Sequence, residues 1–158
     1  MDLTNDTQVM SALAQGPLKE GVKDLFDEIT DDIYNIVKSE IYAGGGSEYY
    51  DRTGQVLNSV MDDPLVNAGL GYVEAETGME DNITGYIGGQ GMFNHHMSFD
   101  KTSVADMIIP WFEGDVGNSS PYFHGAVHML RRAYTKGQSR IKPCLAKAFA
   151  AAGMKLTG

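Results

Sequence analysis

Four histidines are the side chains in this 158-residue sequence best suited to holding a metal ion. His124 and His128 stand four apart, a spacing that on a helix sets two imidazoles on one face, and the adjacent His95 and His96 offer two further nitrogens. A helical zinc-protease site needs a Glu directly after its first His. Here Gly125 follows His124, so the hydrolytic motif is missing. The four histidines therefore define a structural-metal or ligand-binding alternative, with ordinary polar loop and helix positions as the plainer reading.

Other chemistry finds no matching pattern. Gly44-Gly45-Gly46 and Gly88-Gly89-Gln90-Gly91 lack the Gly-Lys-Ser/Thr closure and the strand-loop-helix framing of a phosphate-binding loop, so they read as turns. Carboxylates are abundant, but no pair is singled out for acid/base work across a cleft. Ser59, Ser98 and Ser103 have no nucleophile-elbow context. Cys144 lies in an alanine-rich segment and reads as core packing. The expectation is a protein that is not an enzyme and requires no cofactor and no metal.

Charge is the remaining signal. All 21 acidic residues lie at or before Asp115, accompanied by five Lys and Arg, whereas seven Lys and Arg and no acid follow. Arg131, Arg132, Lys136, Arg140, Lys142 and Lys147, with Tyr134 among them, could meet a phosphate backbone without reading sequence. They could equally meet the acidic helix of a neighbouring copy, and a net charge of −9 favours that contact over stand-alone DNA binding. A third option is that the two ends neutralise each other within one fold.

These residues need elements to position them. The clearest is a helix of roughly 27 residues, about 40 Å long, entered at Pro17 and stopped after Ala43. Leu18, Val22, Leu25, Phe26, Ile29, Ile33, Ile36, Val37 and Ile41 recur along it at steps of three and four. Its stripe must lie on a sheet or on other helices, and its acidic patch from Asp27 to Asp32 reads as a solvated face. Thr53 and Gly54 mark a turn or helix start ahead of Val56, Leu57 and Val60. Residues 68–76 alternate as a strand, Asn82 to Gly88 forms its partner, and Thr77 to Asn82 is the hairpin loop. Gly88 to Lys101 reads as a long loop. Helices are expected over Thr102–Phe112, Pro121–Tyr134 and Lys142–Ala152, the last with Pro143 in its first turn and Gly153 at its end.

The fold class is α+β: a long N-terminal amphipathic helix packed on a small antiparallel sheet, with short helices toward the C-terminus. Residues 1–16 read as either an N-terminal arm or a frayed end, a kind of terminus that often orders only against a partner, and residues 17–158 form one domain. The first ten residues carry Asp2 and Asp6 where a signal peptide has a basic region, and the single Cys144 forms no internal disulfide, so synthesis in a reducing cytoplasm is expected. No apolar run is long enough to span a membrane.

The order of features resembles the tail-completion and head-to-tail connector proteins of long-tailed bacteriophages. These carry a long amphipathic N-terminal helix, then a motif close to Arg-Thr-Gly-x-Leu-x-x-Ser, then strands, an aromatic-Glu-Gly element and a terminal Pro-x-Leu-x-x-Ala helix. The corresponding residues here are Arg52, Thr53, Gly54, Leu57 and Ser59, then Trp111-Phe112-Glu113-Gly114, then Pro143 and Leu145 ahead of Ala148. The likeness spans residues 17–152, and the segment from His95 to His128 is enlarged relative to the family pattern. On physical grounds Arg52 can fork onto carboxylates or carbonyls or make an ordinary intrachain ion pair, Thr53 can cap, Gly54 permits a sharp turn and Leu57 returns to the core. The resemblance implies a structural virion protein at the phage neck, assembled in the host bacterial cytoplasm. It implies a homo-oligomeric ring of roughly six or twelve copies around the DNA channel, meeting neck, connector or tail-terminator proteins and touching DNA non-specifically. The alternative is a small metal- or nucleic-acid-binding protein using the four histidines and the basic C-terminal third.

Overall fold

A computed structural model of the chain describes residues 6–43, 54–80, 109, 112–114 and 126–155. The N-terminal helix begins earlier than Pro17. Helix α1 covers Asp6–Leu13, with Asp6 in the first turn where it complements the helix dipole. The chain then bends at Gly16, whose φ of −110° and ψ of −113° are not helical, and continues as α2, Lys19–Ile36. Pro17 lacks the N–H that would continue the ladder, so it kinks the helix here rather than starting it. Val37–Tyr42 extends α2 as a π-helical turn.

The buried face of this helix repeats every fourth residue: Pro17, Gly21, Leu25, Ile29, Ile33, Val37 and Ile41. With 3.6 residues per turn such a stripe drifts steadily around an α-helix. The wider π-helical turn at Val37–Tyr42 takes more residues per turn and rotates Ile41 back toward the side of Val37.

The sheet differs from the sequence expectation. Residues 68–76 are not one strand. Strand β1, Leu65–Ala68, runs antiparallel to β2, Val73–Glu76, with Leu65 opposite Glu76 and Ala68 opposite Val73. The apparent alternation hid a tight turn. The Gly69 N–H donates to the Tyr72 carbonyl at 3.0 Å, and Gly71 has φ +79°, a conformation that costs a side-chain-bearing residue about 1–2 kcal/mol. The partner expected at Asn82 to Gly88 lies outside the described residues, as does the whole loop expected from Gly88 to Lys101.

A short helix α3, Gln55–Asn58, precedes the strands, and an isolated bridge joins Val60 to Met79. Of the helix expected at Thr102–Phe112, Ile109 and Phe112 are described, and both are helical. The helix expected at Pro121–Tyr134 is displaced: α4 covers Met129–Gln138, and residues 126–128 before it are not helical. Helix α5 covers Ile141–Ala151 with Pro143 in its first turn, and it closes where the Met154 N–H reaches the Phe149 carbonyl at 2.8 Å.

The chain divides into two compact units. The first comprises residues 1–31, 62–77 and 133–158, the second residues 32–61 and 78–132. In the first unit, Leu25 and Ile29 of α2 are buried with Cys144 and Ala148 of α5, and the Phe26 and Tyr134 rings meet edge-on at 6.2 Å. The helix reaches the sheet in this unit, where Gln15 Nε2 donates to the Ala68 carbonyl at 3.0 Å and the buried Thr30 and Thr77 hydroxyls bond to one another. In the second unit, Ile33, Val37, Val60, Phe112, Val127 and Met129 are buried.

Candidate functional site

The residues singled out by pattern do not converge on one cleft. They occupy several joints of the fold. Arg52 and Thr53 lie outside the described residues. Gly54 has φ +76° and turns the chain into α3, where its carbonyl accepts the Asn58 N–H at 2.9 Å. Leu57 is half-buried. Ser59 is fully buried, and its Oγ donates to the Val56 carbonyl at 2.8 Å, closing the helix. The Ser59 carbonyl in turn accepts the Glu80 N–H, and the Met61 N–H donates to the Gly78 carbonyl at 3.0 Å, so this motif ties α3 to the segment after β2.

Glu113 and Gly114 form a second joint. The buried Glu113 carboxylate accepts the Leu130 N–H at 2.6 Å and the Arg131 N–H at 3.2 Å. Those amides open α4 and have no intrahelical partner, so a carboxylate far away in sequence supplies the N-terminal cap. One residue earlier, the Phe112 carbonyl accepts both the Val127 and His128 N–H groups at 2.7 Å. Gly114 has φ +80°, and a Cβ there would stand 2.7 Å from Ala126 Cβ and 2.7 Å from His128 Cε1, so only glycine fits. The cap is a role that sequence reasoning missed, because a carboxylate seventeen residues before the amide it binds carries no local signature.

The helical two-histidine site is corrected. His128 has φ +52° and precedes α4, so the i, i+4 geometry does not apply to it. Its Nδ1 is buried with no hydrogen-bond partner among the described residues. His95, His96 and His124 lie outside the described residues, and among the described residues no group of three or more His, Cys, Asp or Glu side chains is arranged to hold a metal.

The basic residues meet the acidic helix within the same chain. Lys147 Nζ stands 2.7 Å from Asp24 Oδ2, Arg140 Nε stands 3.1 Å from Glu28 Oε2, and Arg132 Nη1 stands 2.8 Å from Glu40 Oε1. Lys23 pairs with Asp27 at 2.8 Å one turn along α2. Hydrogen bonds donated to Asp27 and Asp24 hold the Lys23 and Lys147 ammonium groups above the usual lysine range. These pairs are exposed and screened by solvent, so they orient the helices more than they stabilise them. Arg131, Lys136 and Lys142 are exposed on α4 and α5.

Cys144 and Leu145 face α2. Cys144 is buried, its Sγ stands 3.9 Å from Glu28 Oε1, and burial first, then the Glu28 charge, pushes its thiol above the ordinary range. This is a protected packing thiol, not an activated nucleophile. Leu145 lies over Gly21, while Pro143 is exposed in the first turn of α5. The buried Thr30–Thr77 pair and the Tyr134 hydroxyl bonded to the Thr77 carbonyl at 2.9 Å were also missed; a threonine beside Ile29 on an apolar face was the available hint. No helix among the described residues is long and apolar enough to cross a membrane. Compared with protein-family models, curated proteins and solved structures, the chain matches none of them.

Proposed function

We propose that this chain is a structural virion protein of a long-tailed bacteriophage. On this reading it is not an enzyme, and it forms a homo-oligomeric ring at the neck that completes the head–tail junction around the DNA channel. The observation that carries the reading is the fate of the aromatic-Glu-Gly motif. Glu113, the motif's one ionisable group, is buried and engaged in capping α4, and Gly114 makes the close turn beside it. Gly54 and Ser59 likewise serve a turn and a helix end. Motif residues engaged in joints rather than grouped in a cleft suit an architectural role. Neighbours in the assembly are neck, connector or tail-terminator proteins, and the setting is the virion after assembly in the host cytoplasm. The test is electron microscopy of particles made without this protein. Separate heads and tails are expected, and complete joined particles would sink the reading.

A metal- or nucleic-acid-binding protein is the second reading. It is favoured by the buried His128 Nδ1, which has no hydrogen-bond partner among the described residues, a state that a ligand would relieve. Elemental analysis of the purified chain separates the two readings, since the neck role needs no stoichiometric metal.

A further inference from the structure

The β1–β2 hairpin has one open face, and its register fixes which residues line it. Leu65 pairs with Glu76 and Asn67 with Glu74, so these four share one side of the pleat, and all four are exposed. Val66, Ala68, Val73 and Ala75 take the other, half-buried side. Tyr72 belongs to the open side as well. A Cβ at Gly69 would stand 2.3 Å from Tyr72 Cε1, so the ring crosses the side of Gly69 that continues the row of Leu65 and Asn67. Leu65 is 58% exposed and Tyr72 55%. Along β2 the face thus presents an aromatic ring and then two carboxylates, one on every second residue.

Charge and size together define what this face can hold. Asp24, Asp27 and Glu28 of α2 each meet a Lys or Arg of the same chain, whereas no ion pair among the described residues uses Glu74 or Glu76. From Thr53 to Asp100 the sequence contains no Lys or Arg to match them. The complement is therefore a basic partner, and a second copy of a chain with net charge −9 brings repulsion instead. Four residues of strand span about 13 Å and two strands about 10 Å, so the face covers roughly 130 Å². A stable contact between folded partners needs about 800 Å² from each. The face suits a short segment of chain.

We propose that the open face of the β1–β2 hairpin binds an extended basic segment of another protein. Lys or Arg side chains at two alternate positions of that segment meet Glu74 and Glu76, and an apolar side chain two residues further along covers Tyr72. Alternate side chains of an extended chain point the same way about 7 Å apart, which is also the spacing of neighbouring same-face positions on β2, so the two rows match. Leu65, opposite Glu76, offers an apolar surface for the stem of the outer Lys or Arg. The contact goes beyond the neck reading and does not rest on it.

Fluorescence anisotropy with labelled synthetic peptides and the full chain tests it. The probe is Leu-Thr-Arg-Thr-Arg-Thr, and Leu-Thr-Thr-Arg-Arg-Thr, of the same composition, is the control for spacing. The alternating peptide is expected to saturate the wild-type chain below about 1 mM, more tightly than the control, and to bind less tightly as salt is raised. Glu74→Gln with Glu76→Gln is expected to weaken it at least about tenfold, and Tyr72→Ala to weaken it as well. These positions are exposed, and unchanged circular dichroism shows that the variants are folded. Glu20→Gln with Asp31→Asn removes two exposed acids of α2 and leaves binding as in wild type. No saturation by the wild-type chain, equal binding of the two peptides, or glutamine variants that bind like wild type overturn the proposal. An equal loss in the α2 variant overturns it too, because net charge alone would then hold the peptide. Particles made without the protein judge the neck role independently.

Discussion

The Glu113 carboxylate accepts the Leu130 N–H at 2.6 Å across seventeen residues of sequence, so the start of α4 is held by a side chain from another segment. His128, at the preceding cap position, has φ +52°. Glu113→Ala is expected to cost about 1–2 kcal/mol, the upper range for loss of a helix cap, because the two amides lose their carboxylate acceptor in a part-buried site. Glu113→Gln keeps one acceptor oxygen and is expected to lose less. Urea denaturation midpoints check both, and an alanine variant as stable as wild type would remove the cap from the account.

The Thr30 and Thr77 hydroxyls bond to each other in a buried position, and Thr30 Oγ1 also donates to the Phe26 carbonyl at 2.8 Å. That second bond makes the two ends unequal. Thr77→Val leaves the Thr30 hydroxyl with the Phe26 carbonyl, whereas Thr30→Val leaves the Thr77 hydroxyl buried and unpaired. Thr30→Val is therefore expected to be the worse variant, costing about 1–3 kcal/mol. The double valine variant should cost less than the two single losses added together. A double-mutant cycle in urea reads the coupling, and strict additivity would mean the hydroxyls do not act as a pair.

How much of this was legible in the sequence varied by element. The stripe from Leu25 to Ile41 was readable because helical periodicity repeats over many turns, and the C-terminal helix was readable from Pro143 and Gly153. The hairpin was misplaced because glycines at 69 and 71 look like the polar half of an alternating strand, while their backbone freedom serves a turn. The start of the N-terminal helix was misplaced because Pro17 suits both a first turn and a kink, and only packing decides between them. At the joints, Glu113 and Thr77 act on residues distant in sequence, which no local pattern reports.

Cys144 has a thiol pushed above its ordinary value of 9.0, chiefly by burial and then by the Glu28 charge. Alkylation near pH 8 should therefore be at least about tenfold slower in the native chain than in the denatured one, because the thiolate is the reacting form. The stability consequence follows from the same shift. The unfolded thiol releases its proton first, so this group's contribution is intact below the ordinary thiol pKa and is lost as pH rises through the folded value. Cys144→Ala is expected to flatten the decline in stability above about pH 9. Equal alkylation rates in native and denatured protein would contradict the burial argument.

Gly21 tests the closest helix contact in the first unit. A Cβ at this position would stand 2.9 Å from Leu145 Cδ2, 3.1 Å from Leu145 Cα and 3.2 Å from Ala148 Cβ. Gly21→Ala brings two opposing effects. Alanine in a helix interior is worth about 1 kcal/mol over glycine, and overpacking a tight contact costs about 1–3 kcal/mol. The Leu145 side chain can rotate aside, but its Cα belongs to the backbone of α5 and moves only if the helix moves. Overpacking is therefore expected to win, lowering the urea midpoint, and Leu145→Ala in the same chain should relieve only the side-chain part of the clash. A midpoint that rises on Gly21→Ala would mean that helix propensity dominates and that α5 is free to stand further from α2.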